Sequence, residues 1–357
     1  MFKKERISIG WAEADITPAK KCELYGQYYQ RVSKGIHSRL GATVLAMKSE
    51  SGEQAIMISV DLTNFPLEFL NALRKKVKHL VPGIIPEKIM MNATHTHSAP
   101  SVSSGRNWWT PEPGAVKTEE YREFILACLA DAVRRAWKSL CNGAISATRG
   151  HAVLGHCRRV VFSNGNAEMY GDTSRDDFME LEGKEDSTVE LLFTYDQNKN
   201  TTGVIVNAVC PSQVMEATCL VSADFMGELR RLLKARFGDN FHTLCQVSSA
   251  GDQSPRDLVR DRNADFWSTR GVTIMGQRLA DAVIEAYANI GNKEIRDRIE
   301  MAHQVRTISL PKRFPAYREL ILAQKEAAGL EAILPSKKAF AAFTSETKRN
   351  EKIPGRP

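Results

Sequence analysis

Residues 42–60, ATVLAMKSESGEQAIMISV, contain two apolar runs on either side of a short polar turn. The runs at 42–47 and 54–60 have the length and apolar content of β-strands. Gly52 gives the turn between them the backbone freedom that a tight reversal requires. This stretch therefore predicts a pair of neighbouring strands.

A helix and a further strand follow this pair. Pro66 is expected in the first turn of a helix that reaches about Leu80, because proline is tolerated where a backbone N–H has no helical partner. Residues 88–93 form the next strand. The same patterns continue downstream, with strands predicted at 144–148, 189–195, 204–209 and 243–247 and helices at 118–140, 226–237 and 272–288. This alternation predicts the α/β class, with a layered mixed sheet and flanking helices.

The composition changes near the end of the chain. Residues 1–310 are expected to form one α/β domain that carries a metal site. Residues 311–357 are basic and rich in alanine, which predicts a helical tail or linker that buries little surface. A product truncated from a longer chain would end in this way.

The bulk composition limits the classes of protein to consider. With 357 residues and 43% hydrophobic content, the chain can bury a substantial core. It contains no run of about 18 apolar residues, so no transmembrane segment is predicted. The charged N-terminus lacks the apolar stretch of a signal peptide. The sequence as written therefore predicts a cytoplasmic protein, and an exported one only if the true start lies upstream.

Cysteine usage and charge exclude two further classes. The seven cysteines contain no Cys-x-x-Cys pair, which argues against a disulfide framework and against a zinc ribbon. The net charge of +7 raises the question of a nucleic-acid partner. The basic residues are dispersed among acids and no nucleic-acid-binding module is recognisable, so we predict no such partner.

The most specific local signal is a His-x-His motif in residues 90–100, MMNATHTHSAP. Here a strand leaves the core and delivers His95 and His97 two residues apart. Alternation along a strand would aim both imidazoles at the same side. Neutral imidazole is a common zinc ligand, so the pair can share a metal or divide the duties of ligand and proton carrier.

A second cluster of polar residues follows an apolar strand at 247–257, VSSAGDQSPRD. Loops at strand ends are the usual place for sites in α/β sheets, which makes Ser254 a candidate nucleophile or substrate-positioning hydroxyl. Aspartate and serine beside proline also form ordinary turns. The chain has no Gly-x-Ser-x-Gly motif, which disfavours a Ser-His-Asp hydrolase of that kind.

These motifs together resemble the neutral, non-lysosomal ceramidase family and its bacterial relatives. The resemblance extends to about Leu310. Its most specific element is ATHTHSAP at 93–100, which is similar to the family's Ala-Thr-His-Thr-His-Ser-Gly-Pro. The other elements, in chain order, are GWAEADITP at 10–18, KGIHSRL at 34–40 and SVDL at 59–62.

The resemblance implies a role for each matching residue. It implies that His95 binds zinc and that His97 assists hydrolysis of the amide. Cys157-Arg158-Arg159 stands where the family has an Asn-Arg element, which points to Arg158 as the side chain that stabilises charge near the substrate. Gly251-Asp252-Gln253-Ser254-Pro255 resembles Gly-Asp-Val-Ser-Pro, which places Ser254 in the active site.

The chain departs from the family pattern at the second zinc histidine. By the resemblance that position falls on Pro211, which cannot bind zinc. Cys210 and Asp224 are candidate substitutes, because thiolate and carboxylate both bind zinc. A buried cysteine that acts as a small hydrophobe is the alternative for Cys210. The family's other ligands, a glutamate and a tyrosine, come from further downstream, and no counterpart is evident here.

Two functions follow as hypotheses. The first is a zinc-dependent hydrolase of amide bonds in an N-acyl substrate, ceramide-like or other, as in sphingolipid metabolism. The second is a non-catalytic or truncated relative of the family that binds a small ligand or a partner. The sequence predicts neither the substrate nor the oligomeric state.

Overall fold

The computed structural model of the protein describes residues 4–103, 110–260, 266–312, 314 and 316–333. The helices are α1 (Leu67–Leu80), α2 (Thr118–Lys138), α3 (Asp224–Phe237), α4 (Thr269–Ala288) and α5 (Tyr317–Ile333), with a short 3-10 helix at Pro86–Lys88. The longer strands are β1 (Glu5–Asp15), β3 (Gly41–Ser49), β4 (Gln54–Val60), β5 (Ile89–Ala93), β6 (Cys141–His151), β11 (Thr188–Asp196), β12 (Thr201–Ala208) and β14 (His242–Val247). The short strands are β2 (Gly35–Ile36), β7 (His156–Cys157), β8 (Arg159–Phe162), β9 (Ala167–Met169), β10 (Phe178–Leu181), β13 (Leu220–Val221), β15 (Gln253–Ser254) and β16 (Arg298–Ile299).

The long strands form one mixed sheet in the order β14-β12-β11-β6-β1-β3-β4-β5, and β16 also pairs with β1. The pairs β4/β5 and β12/β14 are parallel, and the other neighbours in this order are antiparallel. The predicted fold class, a layered mixed sheet with flanking helices, is confirmed.

The sheet folds over on itself where β1 meets β6. These strands pair only from Ile7 to Ile9, whereas β1 pairs with β3 along its whole length. As a result β14, at one end of the strand order, packs against β3, β4 and β5 at the other end. The buried side chains of Trp11, Leu45 and Leu244 belong to the small core between the two halves.

Each half of the sheet is covered on its outer face by two helices. Helices α1 and α2 pack on the half that contains β1, β3, β4 and β5, with Phe69, Leu73 and Val77 of α1 fully buried. Helices α3 and α4 pack on the half that contains β6, β11, β12 and β14. The predicted apolar stripe of α2 is also buried, namely Tyr121, Ile125, Leu129 and Val133. The molecule is thus layered as helix, sheet, sheet and helix.

Polar hydrogen bonds join the two halves near the ends of their parallel strands. Ser59 Oγ and Asn92 Nδ2 both donate to the carbonyl oxygen of Cys245, at 2.6 and 2.9 Å. The loops that follow β5, β12 and β14 are thereby brought to one end of the layered sheet. Loops at the carboxyl ends of parallel strands are where α/β proteins usually build their sites.

The rest of the chain bears on the predicted helical tail and on the predicted lack of a transmembrane segment. Helix α5 lies within the predicted helical tail, whereas residues 334–357 are outside the described part of the chain, and the domain boundary at residue 310 stays a prediction. No helix among the described residues is long and apolar enough to cross a membrane.

Candidate functional site

Two loops lock together at the end of the sheet that carries the His-x-His motif. The loop after β5 contains Thr94 and His97, and the loop after β12 contains Ser212. Ser212 N–H donates to the Thr94 carbonyl and His97 N–H donates to the Ser212 carbonyl, both at 3.3 Å. These two hydrogen bonds hold the two loops against each other.

The two imidazoles lie side by side, as predicted, but the strand does not place them. Strand β5 ends at Ala93, and His95 has a left-handed backbone with φ of 61°. The ring centroids of His95 and His97 are 5.0 Å apart and their Nε2 atoms 3.3 Å apart. The left-handed backbone of His95, a conformation uncommon outside glycine, therefore replaces strand alternation as the cause of their convergence.

The contacts of His95 fix its protonation at neutral pH. Its Nδ1 lies 2.7 Å from the Thr63 carbonyl oxygen, which can only accept, so Nδ1 carries the proton of the neutral ring. Burial, with a smaller contribution from the charge of His97, lowers the pKa of His95 to about 4. His95 is therefore neutral at pH 7, with the lone pair of Nε2 directed towards His97.

His97 is surrounded by groups that the sequence did not single out. Its Nδ1 lies 3.1 Å from Glu216 Oε2, an ion-pair distance, and its Nε2 lies 2.9 Å from Gln213 Nε2. The Gln213 side chain is buried, and its Oε1 has no hydrogen-bond partner. In the segment from Pro211 onwards, Glu216 is the first acidic residue, and this is the one signal that could have identified it.

A buried carboxylate holds the side chain of Thr94, inside the His-x-His motif segment. Asp61 lies in the SVDL element and is fully buried. It accepts hydrogen bonds from Thr94 Oγ1 at 3.0 Å and from Gly41 N–H at 2.7 Å, and it pairs with Arg230 of α3. The SVDL element therefore anchors the residue immediately before His95.

Arg158 lies beside the loop that carries the second polar cluster. Its backbone N–H donates to the Asp252 carbonyl at 2.9 Å and its guanidinium to the Gly251 carbonyl at 2.6 Å. The charge of Arg158 contributes to the lowered pKa of His95, after burial and the charge of His97. The predicted position of Arg158 in one pocket with the two histidines and Ser254 stays a prediction.

Ser254 is buried on β15, which pairs with β7 so that Ser254 is opposite His156. Its Oγ accepts the Arg256 N–H at 3.3 Å. His156 in turn has Nδ1 2.5 Å from Glu185 Oε1. Ser254 is therefore internal to the molecule, although Ser249, Gly251 and Asp252 of the same cluster are exposed, and the position of Ser254 beside the imidazoles stays a prediction.

Both candidate substitutes for the missing zinc histidine are buried and have other partners. Cys210 is fully buried in the core under α3 and α4, with Sγ 3.4 Å from the Leu154 carbonyl oxygen, and burial raises the pKa of this thiol well above its usual value. Asp224 is also buried and accepts the N–H groups of Met215 at 2.9 Å and Phe225 at 2.8 Å. Burial raises its pKa to about 6.

The imidazole pair fits part of a zinc site. Two nitrogens that bind one tetrahedral zinc at about 2.0–2.1 Å lie about 3.3–3.4 Å apart, close to the separation of the two Nε2 atoms. The Nδ1 contacts with a carbonyl oxygen and a carboxylate are those that orient metal-binding histidines. Among the residues that the structure describes, no third histidine, cysteine, aspartate or glutamate completes a group of three around a common point. The geometry therefore fits either a zinc ion shared by both imidazoles or a division in which one binds the metal and the other carries a proton, and the described residues contain no complete ligand set.

Comparisons with known proteins agree with these motifs. The family model described as neutral/alkaline non-lysosomal ceramidase, N-terminal, matches residues 7–256. The fold is similar to that of a neutral ceramidase from Pseudomonas aeruginosa, with a TM-score of 0.64 and 20% identity over 80% of this chain and 45% of that one. A structure titled "Ceramidase complexed with C2" gives the same TM-score and identity and is covered to 44%. The chain thus spans less than half the length of these proteins. No curated protein matches it.

Proposed function

Because this chain belongs to the neutral/alkaline non-lysosomal ceramidase family, we propose that it hydrolyses the amide bond of an N-acyl lipid of the ceramide type. The observation that carries this proposal is the imidazole pair, with Nε2 atoms 3.3 Å apart and each Nδ1 beside a carbonyl or carboxylate oxygen. The pair belongs to the same ATHTHSAP element that carries the family resemblance.

In the proposed reaction His95 is a zinc ligand. A zinc ion would supply Lewis-acid polarisation of the amide carbonyl and would make a water molecule more acidic. His95 is suited to the role because its Nε2 lone pair is free at neutral pH, with Nδ1–H held by Thr63 at 2.7 Å.

The proposed roles of the other residues follow from their charge and position. His97 accepts the proton of the attacking water and returns it to the leaving amine. Arg158 stabilises the negative charge that develops on the carbonyl oxygen, since a guanidinium stays cationic at any working pH. Ser254 positions the substrate through its hydroxyl group. All three are proposals that substitution can test.

A non-catalytic binding function is the second candidate. The observation that favours it is the incomplete ligand set of the described residues, with Cys210 and Asp224 both buried and bonded to backbone groups. Catalytic zinc normally has about three protein ligands. A chain that holds zinc weakly would retain the pocket of the family and bind an N-acyl lipid without cleaving it.

Release of fatty acid from a short-chain ceramide, with and without added zinc, separates the two candidates. Hydrolysis that requires zinc and falls at least about 100-fold in His95→Ala supports the enzyme. The matched control is His79→Ala, because His79 is exposed in the last turn of α1. Saturable binding of the ceramide without release of product, in wild type and with zinc present, would instead support the binding protein.

A further inference from the structure

We propose that Gly26 and Arg31, in a hairpin at residues 22–33, are positioning residues for His97: Gly26 sets the place of its imidazole ring and Arg31 that of its backbone. The use of a correctly placed His97 in hydrolysis rests on the proposed function. The place of the ring is a property of the protein without substrate or metal. The two can therefore be tested separately.

The hairpin is attached to the segment that carries the two imidazoles. Within it, Leu24 N–H donates to the Arg31 carbonyl at 2.8 Å. Tyr25 N–H donates outside it, to the Ala99 carbonyl at 2.9 Å. This second bond joins the hairpin to the loop after β5, two residues beyond His97. The turn of the hairpin is thereby held next to His97.

The first contact is between the Gly26 backbone and the His97 ring. A Cβ at residue 26 would lie 2.4 Å from His97 Cγ and 2.8 Å from its Cδ2. Non-bonded carbon atoms normally remain about 3.5–4.0 Å apart. Gly26 also has φ of +110°, a conformation that other residues rarely adopt. A glycine is therefore needed for the hairpin to lie this close to the ring.

The second contact is made by the guanidinium of Arg31, which is buried. It donates to the His97 carbonyl, to the Tyr25 carbonyl at 3.0 Å and to the Thr218 carbonyl at 2.9 Å. These acceptors belong to three segments, namely the loop after β5, the hairpin and the segment between β12 and α3. A planar guanidinium has donors in fixed directions and can join three such groups. Arg31 therefore fixes the backbone of His97 relative to the hairpin.

Both contacts act on the distance between the two imidazoles. His97 Nε2 lies 3.3 Å from His95 Nε2. A methyl group added at residue 26 has to be relieved by a shift of about 1 Å, because its contact with the ring is shorter than normal by that amount. The hydrogen bonds of Arg31 and Tyr25 oppose a shift of the hairpin. The ring of His97 therefore moves, and its separation from His95 changes.

The direct test is the set of nuclear Overhauser contacts of the His97 ring in the full chain without metal or substrate. In the wild type we expect contacts from its ring protons to the Hα protons of Gly26 and to the ring protons of His95. The chain has eight histidines, so their resonances can be assigned by single substitutions. A wild-type ring without a contact to Gly26 would overturn the proposal, whether or not any variant folds.

The variant test is Gly26→Ala, with Gly238→Ala as the matched control. Gly238 has φ of +104°, but no described atom lies within 4 Å of a Cβ placed there. Both substitutions strain a left-handed backbone, and only the first places a methyl group against a ring. We expect Gly26→Ala to lose the contact between the two imidazoles and Gly238→Ala to keep it. Retention of that contact in a folded Gly26→Ala protein would overturn the role of Gly26.

Hydrolysis provides a second measurement. If the chain cleaves a short-chain ceramide, kcat should fall about 100-fold in Gly26→Ala with little change in KM, because a displacement of about 1 Å in a site can cost that much. Gly238→Ala should retain both constants, and equal losses in the two variants would contradict a specific effect on His97. A wild type that shows both ring contacts but no hydrolysis would count against the proposed function and leave the placement of His97 supported.

Arg31→Met tests the second contact, with Arg74→Met as its control. Arg74 also donates from its guanidinium to a carbonyl, that of Ile89 at 2.7 Å, but it lies on α1. We expect the contact between Gly26 and the His97 ring to weaken in Arg31→Met and to persist in Arg74→Met. Arg31→Lys, which keeps the charge and up to three donors, should restore part of it. An unchanged contact in a folded Arg31→Met protein would overturn the role of Arg31.

Discussion

The loops that follow β5 and β12 lie at the same end of the sheet, but they present their side chains in opposite ways. The loop after β5 directs both of its predicted site residues, His95 and His97, to a common point. The segment from β12 to the start of α3 keeps both of its predicted ligands, Cys210 and Asp224, buried and bonded to backbone groups instead. The two segments differ in which groups form hydrogen bonds with their side chains.

In the first loop a separate part of the chain holds the side chains in place and leaves Nε2 of His95 facing His97. Asp61 holds Thr94, and Thr63 holds His95 Nδ1. In the second segment the acid itself satisfies the backbone, since Asp224, at the start of α3, accepts two backbone N–H groups. Among the described residues it forms no group of three potential ligands with the imidazoles, although its residue type suits a metal.

The largest effect is expected when the anchor of the first loop is removed. In Asp61→Asn the free energy of unfolding should fall by about 3–5 kcal/mol, because Arg230 would keep a buried charge without its counter-ion. Urea denaturation measures this change. Asp15→Asn is the control, since the Asp15–Arg39 pair is exposed and should contribute at most about 1 kcal/mol. Equal losses in the two variants would show that Asp61 is not the anchor.

The second effect concerns the pH dependence of stability, which should differ between the two loops. Burial lowers the pKa of His95 from its ordinary value of 6.5 to about 4 in the folded chain, so the unfolded chain binds more protons in this interval. Stability from this residue is present above pH 6.5 and is lost as the pH falls towards 4, by up to about 3 kcal/mol.

Asp224 should contribute with the opposite sign. Its pKa is raised from 3.8 to about 6, so the folded chain binds more protons and its contribution to stability falls as the pH rises through that interval. The difference in unfolding free energy between wild type and His95→Asn, measured from pH 4 to pH 7, isolates His95. A difference that does not change with pH would contradict the assignment.

The smallest effect, in free energy, is expected for metal binding. The purified chain should contain less than one zinc per molecule, because the described residues provide two imidazoles and no group of three ligands. Zinc affinity should fall at least about 10-fold in His95→Ala and should not change in Cys210→Ala. One tightly held zinc that is lost in Cys210→Ala or Asp224→Ala would make that residue a ligand and reverse the comparison.

The sequence predicted the parts of the fold that have strong local patterns. Strands β4 and β5 and helices α1 and α3 were predicted within about three residues of their observed ends. Strand β1 was not predicted as a strand, although Ile7, Ile9 and Trp11 alternate with other residues along it. Its position between β3 and β6 depends on pairing with distant segments, and no local signal reports such pairing.

The sequence identified the two imidazoles of the candidate site but not the side chains that contact them. The His-x-His spacing and the family resemblance were sufficient to identify His95 and His97. Gln213 and Glu216 were not identified, because an isolated glutamine or glutamate in a loop reads as ordinary surface. Their contacts with His97 depend on the backbone hydrogen bonds between Thr94, Ser212 and His97, which form only when the two loops meet.

The fold-over of the sheet also has a consequence for the folding kinetics of the protein. The contacts that build the site join residues far apart in the chain, 116 positions for Gln213 and His97 and 169 for Arg230 and Asp61. The β3–β4 hairpin needs only a short loop to close, whereas these contacts require closure of long ones before they contribute any stability. The imidazole pair should therefore acquire its full set of neighbours late in folding, after both halves of the sheet have formed.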